Sequence, residues 1–153
     1  MNMSLAIPEW HRMAMKGNAP PVRIQLRGYS MDPLIRYKKD FVTVVPPDRE
    51  LVVGDIVMVA DQSTGRYVMH RVWDIRDGQI QTWGDNCDGP DGWFPMEAVW
   101  GRAVLIERGK REIHPDPKKG MRWAKFWHQS RKAYHLYRKC KDGINRQIKK
   151  IRA

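Results

Sequence analysis

The stretch GYSMDP at residues 28–33 places the hydroxyl of Ser30 between a glycine and a proline, where an alternating run ends and a new element begins. This setting is compatible with two interpretations. A serine in a turn commonly hydrogen-bonds to the nearby backbone and does no chemistry. A serine held out on a sharp bend can instead be a nucleophile, provided that a base lies within hydrogen-bonding distance of its hydroxyl. Later in the chain, the stretch YVMHRV contains His70, and the stretch GDNCDGPD at residues 84–91 is rich in acids.

Short strands are predicted to position these side chains, because segments of alternating or β-branched residues are separated by glycine, proline and aspartate turns. The predicted strands cover residues 22–26, 41–45, 55–60, 66–75, 79–83 and 98–108. Residues 84–95 are predicted to form an irregular loop, since glycine, proline and aspartate dominate them. Strands of this length with closely spaced turns are typical of a compact β fold.

Helices are predicted at the two ends of the chain. Pro8 suits a helix start and Gly17 a helix stop, so residues 8–16 are predicted to form a short helix. From residue 121 on, aromatic and isoleucine side chains recur at helical spacing. The predicted fold is therefore mainly β, with a short N-terminal helix and a basic amphipathic C-terminal helix. The predicted divisions are residues 1–21 (helix and linker), 22–110 (β domain) and 111–153 (helical tail).

Size and composition limit the classes of protein that fit. The chain has 153 residues, which suits one domain, and it contains no run of 18 apolar residues that could span a bilayer. Pro8 and Glu9 interrupt the short apolar run at the N-terminus, so no secretion signal is recognised and a cytoplasmic location is expected. Cys87 and Cys140 lie far apart, so neither a disulfide framework, a metal site nor a cofactor is predicted.

The net charge of +11 is concentrated in the tail. Residues 118–153 hold 13 Lys and Arg side chains and one acid, Asp142, whereas residues 1–117 are nearly neutral. Three interpretations of the tail remain open: an amphipathic helix on an anionic membrane surface, a helix that binds nucleic-acid phosphates, or a helix whose aromatic stripe packs on the β domain. The first and third are favoured over nucleic acid. Peripheral attachment to the inner face of the membrane is therefore an alternative to a purely cytoplasmic location.

Four stretches in order, GYSMDP, VGDIV, YVMHRV and GDNCDGPD, resemble the signal peptidase I group of serine peptidases, the S24/S26 peptidases. The pattern of that family is Gly-x-Ser-Met-x-Pro, then Val-Gly-Asp, a catalytic strand, and Gly-Asp-Asn. The resemblance covers residues 24–108. It implies a signal-peptidase or LexA-like β fold and peptide-bond hydrolysis.

The resemblance also implies roles for individual residues. Ser30 would be the nucleophile. His70 would be the general base, as the histidine is in the endoplasmic-reticulum and archaeal branch, whereas the usual bacterial enzymes carry lysine at this position. Asp91 would complete the triad, with Asp85 as second choice or in a supporting role. Many relatives have a serine two places before the nucleophile that helps to hold the oxyanion. Gly28 occupies that position here, so the oxyanion would rest either on backbone N–H groups, such as that of Ser30, or on a donor that the sequence does not assign.

The function expected from these residues is that of a serine endopeptidase that cleaves a leader, precursor or partner polypeptide. A self-cleaving regulator of the LexA type is an alternative. It is disfavoured because only about 26 residues precede the nucleophile motif, whereas a DNA-binding domain usually needs about 60, and because the base lysine is missing. A non-catalytic binding module that uses the basic tail for lipid or nucleic acid is a further alternative, which Gly28 keeps open.

Overall fold

A computed structural model describes residues 9–14, 16, 19–61 and 66–133. These residues fall into two compact units, with the division between Met121 and Arg122. The first unit is built on a single sheet of eight strands. In the second unit the described residues form a helix. The prediction of a mainly β chain with one helix before the strands and one after them is confirmed.

Every strand pair in the sheet is antiparallel. In chain order the strands are β1 (Val22–Ile24), β2 (Asp40–Val45), β3 (Ile56–Asp61), β4 (Arg66–Arg76), β5 (Gln79–Trp83), β6 (Trp93–Pro95), β7 (Val99–Arg108) and β8 (Arg111–Ile113). Their order across the sheet is β1-β2-β7-β3-β4-β5-β6, and β8 pairs with β7. The strand that contains His70, β4, therefore lies between the central strand β3 and β5. Strand β5 leads into residues 84–92, the acidic loop.

Strand β3 shows that the sheet has a buried apolar cluster on each face. Ile56 and Met58 belong to one buried apolar cluster, and Val57 and Val59 belong to another. Successive side chains of a strand point to opposite faces, so a strand covered on both sides needs an apolar residue at every position. Met31, which follows Ser30, is 2% exposed and belongs to the first cluster. The segment that carries the predicted nucleophile is thus anchored in the core.

Two three-residue strands were not predicted from the sequence. Strand β6 pairs with β5, and β8 pairs with the end of β7. The prediction that residues 84–95 are irregular throughout is therefore wrong for Trp93–Pro95. Strands this short depend on pairing with a neighbour rather than on a pattern of their own. The first strand also ends at Ile24, two residues earlier than predicted.

The helices lie close to their predicted positions. Helix α1 covers residues 9–14 and helix α2 covers residues 117–133. Helix α2 begins four residues before the predicted start at 121, because Asp116 caps it: the Asp116 carboxylate accepts the Lys119 N–H at 2.8 Å, and Pro117 takes the first helical position. The predicted tail helix beyond residue 133 lies outside the described residues. Within the described ranges, no helix combines the length and the apolar character needed to cross a bilayer.

Candidate active site

His70 lies in β4 opposite Val57 of β3, and it is 6% exposed. Its Nδ1 lies 2.6 Å from Oδ2 of Asp91. A carboxylate oxygen accepts hydrogen bonds, so this contact places a proton on Nδ1, and in the neutral tautomer of the ring the lone pair is on Nε2. In that tautomer Nε2 can accept a proton, which is what a general base needs.

Asp91 is held in place by Thr82, the fourth residue of β5. The Thr82 hydroxyl donates to Oδ2 of Asp91 at 2.7 Å, so this oxygen accepts from both the hydroxyl and the imidazole. The backbone N–H of Asp91 donates to the carbonyl oxygen of Thr82, also at 2.7 Å. Thr82 is fully buried. The end of the acidic loop is thereby attached to a strand of the sheet, which fixes the carboxylate beside His70.

Ser30 lies in a tight turn that is bonded to the other side of the acidic loop. The N–H of Asn86 donates to the carbonyl oxygen of Ser30 at 2.7 Å, and its side-chain amide donates to the carbonyl oxygen of Tyr29 at 3.0 Å. Gly28 has φ +95°, a left-handed conformation that strains any residue with a side chain. Ser30 itself is half-buried, so it is not enclosed in the core. The turn thus combines a fixed backbone with a partly accessible serine.

Gly84 is the point where the serine turn and the histidine meet. A Cβ atom on Gly84 would lie 2.8 Å from the carbonyl oxygen of Ser30 and 2.9 Å from Nε2 of His70. Those two atoms are therefore less than about 6 Å apart, so the backbone of the serine turn lies close to the imidazole of His70. The same Cβ would lie 2.6 Å from Sγ of Cys87. A side chain at residue 84 would collide with these atoms, so only glycine fits between the backbone of Ser30 and the His70–Asp91 pair.

Asp85 has a different partner. It is fully buried, and its two carboxylate oxygens accept from Nε and Nη2 of Arg71 at 2.9 and 2.8 Å. Arg71 is 1% exposed and also donates through Nη1 to the carbonyl oxygen of Gly54 at 3.0 Å. Asp91, and not Asp85, is thus the aspartate bonded to His70. Asp85 ties the acidic loop to β4 from inside the protein, which fits the supporting role considered for it.

The segment after Ser30 is fastened by a second buried carboxylate. Asp40 pairs with Arg108 across β2 and β7, at 2.6 Å, and accepts the Arg36 N–H at 2.8 Å. Arg108 also donates to the carbonyl oxygen of Leu34 at 2.9 Å. Burial alone would raise the pKa of the Asp40 carboxyl, but the hydrogen bonds from Arg108 and Arg36 and their positive charges hold it below its usual value. These contacts attach residues 34–40 to the sheet.

Arg71 and Thr82 were not identified by the sequence analysis. Arg71 directly follows His70, and a buried carboxylate needs a cationic partner, but the sequence does not show that Asp85 is buried. Threonine is common in strands, so nothing in the sequence marks Thr82 as a residue that contacts the site. Within the part of the chain that the structure describes, no group of three or more His, Cys, Asp and Glu side chains is placed to hold a metal ion.

Comparison of the chain with protein-family models found no match, and comparison with curated proteins found none either.

Proposed function

We propose that this protein is a serine endopeptidase of the signal peptidase I type, which cleaves a leader, precursor or partner polypeptide. The observation that carries the proposal is the 2.6 Å contact between Nδ1 of His70 and Asp91, with Nε2 close to the turn that holds Ser30. Nucleophile, base and orienting acid come from three separate segments, as a catalytic triad requires. The order of the four sequence motifs supports the same class of activity.

In the proposed mechanism, the Ser30 hydroxyl attacks the carbonyl carbon of the scissile peptide bond while Nε2 of His70 takes its proton. Asp91 keeps the proton on Nδ1 and stabilises the imidazolium that forms. His70 then returns the proton to the leaving amine, which produces an acyl-enzyme on Ser30. A water molecule, activated by the same nitrogen, hydrolyses the ester and restores the enzyme.

The developing oxyanion would be stabilised by backbone donors in this mechanism. Gly28 has no side chain to offer, and its left-handed φ disfavours the serine that many relatives have there. The N–H of Ser30 would be one such donor, as in other serine hydrolases where the nucleophile's own amide contributes. Loss of one such donor typically costs about 10²–10³ in turnover, so a slow or specialised peptidase is the expected result.

The experiment is covalent labelling of the purified full chain with a fluorophosphonate probe, followed by mass spectrometry of the labelled peptide. The wild type is expected to be labelled at Ser30, because the probe reacts only with a serine that is activated by a base. Ser30→Ala is expected to abolish labelling. Ser130→Ala, the same substitution in helix α2 and outside the site, is the matched control and should be labelled like the wild type.

Absence of labelling in a wild-type sample that unfolds cooperatively would contradict the proposal and favour the binding module. The LexA-type alternative is tested in the same sample by prolonged incubation. The appearance of two fragments in the wild type, absent in Ser30→Ala, would identify the chain as its own substrate. An intact mass together with cleavage of an added polypeptide supports an endopeptidase that acts on other chains.

A further inference from the structure

Helix α2 has one side that is exposed and cationic. Its residues recur three or four positions apart, so they lie on one side of the helix. This basic face consists of Lys118, Arg122, Lys125, Phe126, Gln129 and Lys132, all exposed. Other positions of the same helix, Met121, Ala124 and His128, are buried. The helix therefore has one exposed, basic side and one buried side.

The charge of the basic face is not compensated within the helix. Residues 117–133 contain six Lys and Arg side chains and no acid. Side chains of like charge three or four positions apart repel one another, which destabilises a helix slightly. An anionic surface would attract these cations and reduce their mutual repulsion. The charge of the basic face therefore favours a negatively charged partner.

Phe126 distinguishes between the anionic partners. Its side chain is 65% exposed, and its neighbours on the same side include Arg122 and Lys125. A large apolar side chain among cations is typical of a helix that lies at a lipid interface, where the ring enters the boundary between headgroups and acyl chains. Contacts to the phosphates of a nucleic-acid duplex use the charges alone and leave such a ring in water.

We infer that the basic face of helix α2 binds the surface of a membrane that contains anionic lipid. The cations interact with the lipid phosphates, and Phe126 inserts between the headgroups. This inference does not depend on the proposed peptidase activity, because neither the helix face nor the partner involves Ser30, His70 or Asp91.

The test is flotation of the full chain with vesicles of phosphatidylcholine, with and without phosphatidylglycerol, at low and high salt. The wild type should bind only the vesicles that contain phosphatidylglycerol, and high salt should weaken binding. The triple variant Lys118→Gln, Arg122→Gln, Lys125→Gln should bind about 100-fold more weakly, on the basis of the usual contribution of a basic side chain near an anionic surface. Phe126→Ser, which keeps all charges, should bind about tenfold more weakly.

The matched control is the triple variant Lys39→Gln, Lys110→Gln, Arg111→Gln, which removes the same charge from exposed positions in the β unit. It should bind vesicles like the wild type. Wild-type affinity in the helix triple variant, or equal loss in both triple variants, would overturn the inference. A fluorescent DNA duplex tests the other partner. Tighter binding to the duplex than to the vesicles, lost in the helix variant but kept in Phe126→Ser, would also overturn it in favour of nucleic acid.

Discussion

Substitution by asparagine, at Asp91 and at Asp85 in turn, distinguishes an aspartate that orients His70 from one that stabilises the fold. The change is the same in both cases: one carboxylate becomes a neutral amide of nearly the same shape. At position 91 the carboxylate faces His70 and the Thr82 hydroxyl, and its side chain is 27% exposed. At position 85 it is fully buried against the guanidinium of Arg71. We expect opposite effects on activity and on stability.

Asp91→Asn should abolish activity and leave the fold intact. In the proposed mechanism the amide would no longer hold the proton on Nδ1 of His70, so Nε2 would no longer be kept free to accept the proton of Ser30. In a well-studied triad the equivalent change lowers turnover by about 10⁴-fold. The loss of stability should be that of one hydrogen bond, about 1 kcal/mol.

Asp85→Asn should instead destabilise the protein. Arg71 is 1% exposed, so the substitution leaves a buried guanidinium without its carboxylate partner. Breaking a buried ion pair in this way costs about 3–5 kcal/mol. In a domain of this size each kcal/mol corresponds to a few degrees, so the melting temperature should fall by about 10 °C or more. Below that temperature, activity should be largely retained, because Asp91 still orients His70.

The assay measures two quantities on each purified variant: the rate of fluorophosphonate labelling of Ser30 and the melting temperature from circular dichroism. Asp77→Asn, the same substitution at an exposed aspartate in the turn between β4 and β5, is the control and should change neither quantity appreciably. Labelling of Asp91→Asn at the wild-type rate, combined with a folded but unlabelled Asp85→Asn, would refute the assignment of Asp91 as the orienting acid. A wild-type melting temperature for Asp85→Asn would refute the argument from burial.

Two further predictions concern the segments that hold the site. Gly54 has φ +101° and its Cβ would lie 2.1 Å from the carbonyl oxygen of Pro117, so Gly54→Ala should lower the free energy of unfolding by more than the roughly 1–2 kcal/mol of left-handed strain, measured by urea denaturation. The pKa of Asp40 is lowered in the folded state. Its contribution to stability is therefore complete above its unfolded pKa of about 3.9 and is lost as pH falls through the lower folded value, which urea denaturation at several pH values measures.

Each of these two predictions has its own control. Gly78 also has a positive φ, +73°, but its Cβ would have no neighbour within 4 Å, so Gly78→Ala isolates strain from collision. Equal destabilisation at both glycines would show that the contact with Pro117 is unimportant. Asp40→Asn should flatten the acid end of the stability profile, and a profile as steep as that of the wild type would assign the effect to other carboxylates.

The strands that position His70 were predictable because their pattern is local. Alternation and β-branched residues over 66–75 and 79–83 predicted two strands with a tight turn between them, and the observed strands are Arg66–Arg76 and Gln79–Trp83. Side chains of successive strand residues alternate between faces, so this information is contained in each segment. Trp93–Pro95 and Arg111–Ile113 were missed because three residues are too few for a pattern and need a partner strand.

The sequence by itself determined the β class, the order of the motifs and the candidate residues Ser30 and His70, but it left the acid open between Asp85 and Asp91. Only the tertiary structure decided that His70 contacts Asp91 and that Arg71 takes Asp85. The physical reason is that the path of a Gly/Pro-rich loop is determined by its tertiary contacts rather than by its own sequence pattern. The Thr82 hydroxyl holds one end of the loop and a buried guanidinium holds the other, and neither contact leaves a periodic signal along the chain.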